Sequence, residues 1–330
     1  MTSGRNRMRT LDSATRRRFQ QLLLRWFATH QRDLPWRKNA DPYRVWLSEV
    51  MLQQTRVVAV VEHYRRFLKQ FPTVKRLAAA REASVLAAWS GLGYYRRARM
   101  LHAAAEMIVR ERAGKFPTIA ADLRTLPGIG RYTAAAVASI AFNEPVAVVD
   151  GNVERILQRL HGRPITGEQL WKKAEELLDK TRPGDFNQAL MDLGATVCLP
   201  RQPKCRLCPV LEMCATRGEL RRDRKETRQK KRQVQYALDC RNGLIFLVQR
   251  PKSASLMPGM WELPEIIGPN GNAEPCLTVR HSITVTDYLV RVLPGPVPEG
   301  TDGRWVARSR LTKLPLTGLA QKILRAARVI

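Results

Sequence analysis

Four cysteines, Cys198, Cys205, Cys208 and Cys214, follow the spacing C-x6-C-x2-C-x5-C, which brings four thiolates within reach of one metal centre through short loops. The pattern favours an iron-sulfur cluster. A structural zinc ion, which also accepts four thiolates, and four cysteines without metal are the alternatives. The intervening loops carry Arg201, Lys204 and Arg206. Cations there suit a structural loop that touches phosphate better than an electron carrier. Cys240 and Cys276 stand alone and read as ordinary buried thiols.

Two carboxylates have contrasting settings. Glu49 lies in a helical segment, Tyr43 to Thr55, with Val45 and Trp46 at i−4 and i−3, Leu52 and Gln53 at i+3 and i+4, and no cation in reach along the helix. A carboxyl isolated in an apolar setting keeps its proton toward neutral pH and can act as a general acid. Asp150 follows the apolar run Val146 to Val149 and precedes Gly151-Asn152-Val153, where a helix ending near Leu160 should start. A helix N-terminus favours the ionised form. One proton donor and one anion are what cleavage of a glycosidic bond uses, because the leaving group is protonated while positive charge grows on the sugar. Taken singly, Glu49 also reads as a partly exposed helical acid and Asp150 as a helix cap.

Two glycine turns suit contact with an anionic polymer. Leu126-Pro127-Gly128-Ile129-Gly130-Arg131-Tyr132-Thr133 leads into the apolar helix Ala134 to Phe142, and Gly128 and Gly130 let backbone amides approach an anion at a helix N-terminus. This is a helix-hairpin-helix candidate, which would grip phosphate without reading sequence; a plain inter-helix turn is the alternative. Gly91-Leu92-Gly93-Tyr94-Tyr95, followed by Arg96 and Arg97, sets aromatics beside cations as a stacking or wedging element requires, although core packing produces the same pattern.

These residues need a helical scaffold, and from Ser13 to Thr181 apolar residues do recur at helical spacing, as in Phe19, Leu22, Leu23, Trp26 and Phe27. Asp41-Pro42 opens one helix by cap and first-turn logic. After Cys214 comes a run dense in Arg and Lys, a basic linker over residues 217–233. Beyond it, Val234 to Asp239 and Leu244 to Gln249 read as strands joined across Asn242-Gly243, Thr278 to Leu293 is rich in β-branched residues, and Gly318 to Ile330 reads as one amphipathic helix carrying Leu319, Ile323, Leu324 and Ala327. At 330 residues and 44% hydrophobic content the chain holds two domains or more, which excludes disorder throughout. A net charge of +28 makes a polyanion, nucleic acid first, the natural partner. The sequence shows no apolar run of about 18 residues and no signal-peptide pattern, so a cytoplasmic location with reduced thiols is expected.

Taken together, the residues resemble the MutY family of adenine DNA glycosylases, within the helix-hairpin-helix glycosylases related to endonuclease III. The resemblance covers nearly all of residues 15–216. It rests on Leu34-Pro35-Trp36-Arg37, on Trp46 to Thr55, on the Gly91 and Pro127 turns, on Val149 to Val153, on Asn187 to Gly194, and on the four cysteines. It implies an α plus α/β protein: an all-α helix-hairpin-helix glycosylase region over 1–216, with six-helix and iron-sulfur lobes and the hairpin near 124–142, then the linker, then a Nudix-like α/β domain over 234–330. That tail resembles the family most clearly at Gly259-Met260-Trp261-Glu262-Leu263-Pro264, and it lacks the run of glutamates with which hydrolytic Nudix proteins bind magnesium.

By the resemblance, adenine opposite 8-oxoguanine or guanine in double-stranded DNA is flipped into a pocket. Glu49 protonates it at N7, Asp150 stabilises the oxocarbenium ion electrostatically or through a transient covalent bond, and Tyr132 and Asn152 support the site. Trp36, Arg37 and Gln188 line the adenine pocket; Gln54, Leu92 and Tyr94 fill or wedge the stack; Gly128, Gly130, Arg201 and Lys204 meet phosphate. One 4Fe-4S cluster sits on the four cysteines. The family's Phe-Ser-His recognition loop falls on Ile283, Thr284 and Val285, where only the hydroxyl survives, so Thr284 is its candidate contact with the oxidised base. Glycosylases that also cut the strand carry a lysine where this chain has Tyr132, which implies a monofunctional enzyme. A monomer associated with the bacterial nucleoid is expected. The rivals are a thymine or uracil mismatch glycosylase on the same scaffold and a redox-sensing DNA-binding protein without catalysis.

Overall fold

The helical periodicity becomes, in a computed structural model, the helices α1 (Ser13–His30), α2 (Pro42–Leu52), α3 (Val57–Gln70), α4 (Val74–Ala78), α5 (Glu82–Trp89), α6 (Arg96–Arg112), α7 (Ala120–Leu123), α8 (Arg131–Phe142), α9 (Gly151–His161), α10 (Gly167–Leu177), α11 (Pro183–Thr196) and, after the strands, α12 (Gly318–Ala326). The strands are β1 (Lys230–Leu238), β2 (Cys240–Arg241), β3 (Leu244–Gln249), β4 (Trp261–Glu262), β5 (Leu277–Ile283), β6 (Thr286–Pro294) and β7 (Arg304–Ala307). The structure describes residues 12–220, 230–266, 274–283 and 286–330, so Thr284 lies outside the described residues. Among those residues no helix is long and apolar enough to cross a membrane. One compact unit is drawn from Met1–Gln54 and Met107–Asp223, a second from Thr55–Glu106 and Arg224–Ile330.

The first unit is helical because its apolar residues repeat at the helical period and its helix ends are capped. The Asp12 carboxylate accepts the Thr15 amide at the start of α1, and Asp41 accepts the Arg44 amide at the start of α2, where Pro42 supplies a preset φ. Phe19, Leu23 and Phe27 of α1 pack with Ile156, Leu157 and Leu160 of α9 and Phe186, Leu190 and Leu193 of α11. Each such side chain contributes about 1.5–3 kcal/mol on full burial. The buried face of α8 is small, with Ala134, Ala135, Ala136, Ala138 and Ser139, so neighbouring helices approach it closely. At Gly184 of α11 a Cβ would lie 2.7 Å from the Ser139 carbonyl oxygen.

In the second unit, α3 buries Val60, Tyr64 and Phe67, and the Phe67 ring meets Trp89 of α5 edge-on at 5.9 Å. One sheet has the order β1-β6-β5, with β1 parallel to β6 and β5 antiparallel to it; the other joins β2, β3 and β4, with β7 also paired to β3. Val234, Val290 and Val279 form one cross-strand row of the core, against which α12 packs Leu319, Ile323 and Leu324.

Four expectations change here. The Asn242-Gly243 turn joins β2 to β3, not β1 to β3: buried Asp239, paired with Arg241 at 2.9 Å, ends β1, and β1 belongs to the other sheet. Strand β1 already begins at Lys230, because backbone pairing with Thr286–Leu289 extends it past the point where its side chains are buried. Cys240 and Cys276 are exposed, since β2 is a two-residue edge strand and Cys276 precedes β5. Helix α12 stops at Ala326, where the chain turns through a left-handed Arg328 (φ +56°) and the Val329 amide donates back to Leu324.

Candidate active site

Helix α2 is buried along nearly its whole length, from Tyr43 to Met51, and Glu49 within it is only 6% exposed. The glycine turn brings Tyr132, in the first turn of α8, against it: the phenol donates to Glu49 Oε2 at 2.6 Å. Burial pushes the Glu49 carboxyl up to about 7; Asp150 adds to the rise, while the Tyr132 bond and Arg37 oppose it. Tyr132 itself is held well above its ordinary value, first by burial and then by Glu49 and Asp150, so its hydroxyl stays protonated. The three side chains thus share one electrostatic neighbourhood, although 83 residues separate Glu49 from Tyr132.

Asp150 is the N-cap of α9. Its Oδ1 accepts the amides of Asn152 at 2.9 Å and Val153 at 2.7 Å, and its Oδ2 accepts the Asn152 side-chain amide at 2.9 Å. Every one of these partners donates, an arrangement made for a carboxylate. The extended run before it is pinned by Asn187, whose Oδ1 accepts the Val148 amide and whose Nδ2 donates to Val146 and Ser139.

Arg155, one turn along α9, ties this cap to the cysteine loop. Its Nη2 donates to Asn152 Oδ1 at 2.8 Å and to the Gly194 carbonyl at 2.7 Å, and its Nε donates to the Cys198 carbonyl at 2.8 Å. Gly194 has room for nothing more: a Cβ there would lie 2.5 Å from that of Asn152. Further along, buried Arg159 donates to Cys198 Sγ at 3.2 Å and to the carbonyls of Leu199 and Pro200. Burial raises the Cys208 thiol to about 11, with Cys198, Cys214 and Cys205 adding to the rise, and raises Cys205 with help from Cys214 and Cys198. Four sulfurs that repel one another as thiolates are a donor set suited to a cationic centre. Among the described residues no three His, Cys, Asp or Glu side chains are placed to hold a single metal ion.

The expected pocket residues fall differently. Trp36 is buried, and Arg37 is engaged by a residue to which the sequence reading gave no role: its Nη1 meets Asp192 Oδ2 at 2.6 Å and its Nη2 meets Oδ1 at 2.9 Å, with Arg32 as a second partner at 2.6 Å. Burial would raise the fully buried Asp192 carboxyl, but Arg37 and Arg32 outweigh it and hold it below its ordinary value. A signal for Asp192 existed, since an acid inside the apolar run Ala189 to Ala195, one turn beyond Gln188, must find a cation. Gln188 donates to the Gly184 carbonyl at 3.3 Å. Arg155, Arg159 and Asn187 were missed as well, because their partners are mostly backbone groups.

The residues expected to touch DNA are spread over both units. Gly128 takes φ +74°, a Cβ at Gly130 would meet nothing within 4 Å, and the N-terminus of α8 is therefore open to an anion. Gln54 (φ +56°), Arg201 and Lys204 are exposed in the first unit. In the second unit Leu92 is buried while Tyr94 is 50% exposed. A cavity of about 540 Å³ in the second unit is lined by Lys231, Arg232, Arg280, His281, Asp287 and Tyr288 among others, at the end of the β1-β6-β5 sheet where β1 begins.

Residues 47–181 match the HhH-GPD superfamily of base excision DNA repair proteins. Over 317 aligned residues the chain is 39% identical to the adenine DNA glycosylase of Rattus norvegicus, covering 77% of this chain and 61% of that one. It thus spans less than two thirds of the length of the curated relatives it matches. Among solved structures, a thermostable thymine-DNA glycosylase superposes with a TM-score of 0.58 at 30% identity, covering 62% of this chain and 99% of that one. A trapped endonuclease III-DNA covalent intermediate shares the fold, with a TM-score of 0.55 at 23% identity over 63% of this chain and 98% of that one.

Proposed function

The chain belongs to the HhH-GPD superfamily of base excision DNA repair proteins, and from that premise we propose that it hydrolyses the N-glycosidic bond of adenine mispaired with 8-oxoguanine or guanine in double-stranded DNA, leaving an abasic site. The observation that carries this reading is the trio of buried Glu49, raised to about 7, its 2.6 Å bond from Tyr132, and Asp150 held by three donors.

At neutral pH a large fraction of Glu49 carries its proton. Because Tyr132 donates to Oε2, that proton resides on Oε1, which is left to face a flipped base and protonate its N7. The base leaves as a neutral group, the positive charge that grows on the sugar is met by the Asp150 carboxylate, and water adds to the carbon the base left and releases a proton, which gives the abasic site. Asn152 fixes the rotamer of Asp150, and Arg155 fixes Asn152. A phenol cannot form an imine with the opened sugar, so Tyr132 gives a monofunctional enzyme. Arg37, clamped by Asp192, stands as a fixed positive charge near Glu49 that keeps its pKa from rising further.

The four cysteines hold one 4Fe-4S cluster in this proposal. Those four thiolates would bind it as a structural cross-link of the loop from Cys198 to Cys214, which carries Arg201 and Lys204, and no step of base release would pass through it. The C-terminal module acts as a Nudix-like recognition domain for the strand opposite the adenine, and its basic cavity with His281 and Tyr288 supports that role.

The thermostable thymine-DNA glycosylase favours a second reading, excision of thymine from G·T pairs. One duplex panel decides. Adenine release from 8-oxoguanine·A and G·A duplexes, seen as alkali-labile abasic sites, with little borohydride-trapped adduct, is expected; thymine release from G·T without adenine release would replace the proposal by its rival.

A further inference from the structure

Within the second unit Tyr94 is held half-exposed at φ +49°, a left-handed conformation that residues other than glycine seldom adopt. Its turn is gripped first by the helices that flank it. Trp89 Nε1 donates to the Gly93 carbonyl at 3.1 Å, and Arg97 Nη2 donates to the carbonyls of Leu92 and Gly93, each at 3.3 Å. The Arg97 guanidinium lies 5.4 Å from the Trp89 ring and 5.5 Å from the Tyr94 ring.

A second grip comes from the C-terminal segment. The carbonyl of Leu316 accepts the Ser90 hydroxyl at 3.1 Å and the Tyr95 hydroxyl at 2.9 Å, which uses both of its lone pairs, and all three residues are buried. Gln321 of α12 donates to Ser90 Oγ at 2.5 Å, and Arg99 donates to the Pro258 carbonyl at 2.6 Å. Leu316 cannot drift, because Trp261 of β4 donates to Pro315 at 2.8 Å and accepts from Thr317 at 2.9 Å, and Thr317 in turn caps α12. Ser90 and Tyr95 bracket the turn that displays Tyr94.

We infer that the C-terminal module positions Tyr94, with Ser90, Tyr95 and Gln321 as positioning residues that set how deeply the aromatic enters the DNA stack. The module read as recognising the opposite strand and the side chain read as parting the stack then move as one piece. This rests on the proposed function and on Tyr94 as its wedge.

Full-length protein and an 8-oxoguanine·A duplex with 2-aminopurine beside the mispair test it. Tyr95→Phe removes only the hydroxyl. It should cut the binding-induced fluorescence rise and the single-turnover rate of adenine release by about five-fold, the effect of one buried hydrogen bond. Affinity for undamaged duplex should hold, and the melting temperature should fall by no more than a few degrees, about what one buried hydrogen bond contributes. In a Tyr94→Ala background, Tyr95→Phe should add nothing. Unchanged fluorescence in Tyr95→Phe, or losses that add in the double variant, overturn the inference. Amide exchange at residues 91–94 separates the two ways of failing. Unchanged exchange in Ser90→Ala and Gln321→Ala removes the grip itself. Faster exchange together with a silent Tyr94→Ala removes the wedge, and the positioning role with it.

Discussion

The Tyr132 hydroxyl donates to Glu49 Oε2 at 2.6 Å, and this bond works against the burial that raises the same carboxyl to about 7. The balance suits the general acid proposed for neutral pH: burial keeps the proton on, and the phenol keeps it from being held more tightly still.

Adenine release under single-turnover conditions should therefore decline as pH rises through about 7, when Glu49 loses its proton. Tyr132→Phe deletes a contact that lowers the Glu49 pKa, so the declining limb should move to higher pH. Rate profiles of the two proteins from pH 5 to 9 test this; a limb displaced to lower pH would contradict the assignment.

The same carboxyl should cost stability. Folded Glu49 binds its proton more tightly than the unfolded side chain, whose pKa is near 4.5, so stability falls as pH climbs from there to about 7 and is level above. Glu49→Gln should be more stable than the parent at pH 8, by up to about 3 kcal/mol, and no more stable at pH 4. Urea midpoints at the two pH values give the comparison.

Arg155→Leu should lower the single-turnover rate by about ten-fold or more, ~1.4 kcal/mol, because Asn152 then loses the partner that orients it on Asp150. DNA affinity should change little. Arg155→Lys should not restore the rate, since one ammonium cannot replace a fork shared among Asn152, Gly194 and Cys198. A purely structural arginine would instead show a loss of stability with an intact rate.

Binding should weaken steeply with salt, and Arg201→Ala or Lys204→Ala should each reduce the slope of log affinity against log salt by about one if these exposed cations neutralise phosphate. A slope equal to that of the parent would return them to solvated surface.

What the sequence made legible was local. Helix starts at Asp41 and Asp150, the apolar surroundings of Glu49, and the glycine turn before Tyr132 depend on neighbours a few residues away, and each stands where that logic puts it. The partnerships that complete the site are long-range: Arg37 with Asp192 spans 155 positions and Tyr95 with Leu316 spans 221, and no periodicity records them. The parallel pairing of β1 with β6 was equally hidden, because exposed Lys230 and Lys231 carry no alternation to mark a strand. The two lone cysteines were misjudged because burial follows from strand position, which composition does not encode.

At position 194 one added methyl group would land on Asn152 and push it from Asp150 as surely as deleting the asparagine. Gly194 lies 44 positions from Asp150, yet the smallest possible side chain there would disturb the carboxylate proposed to meet the sugar's charge. In a collection of inactive alleles, substitutions at this glycine should keep company with those of Asp150 itself.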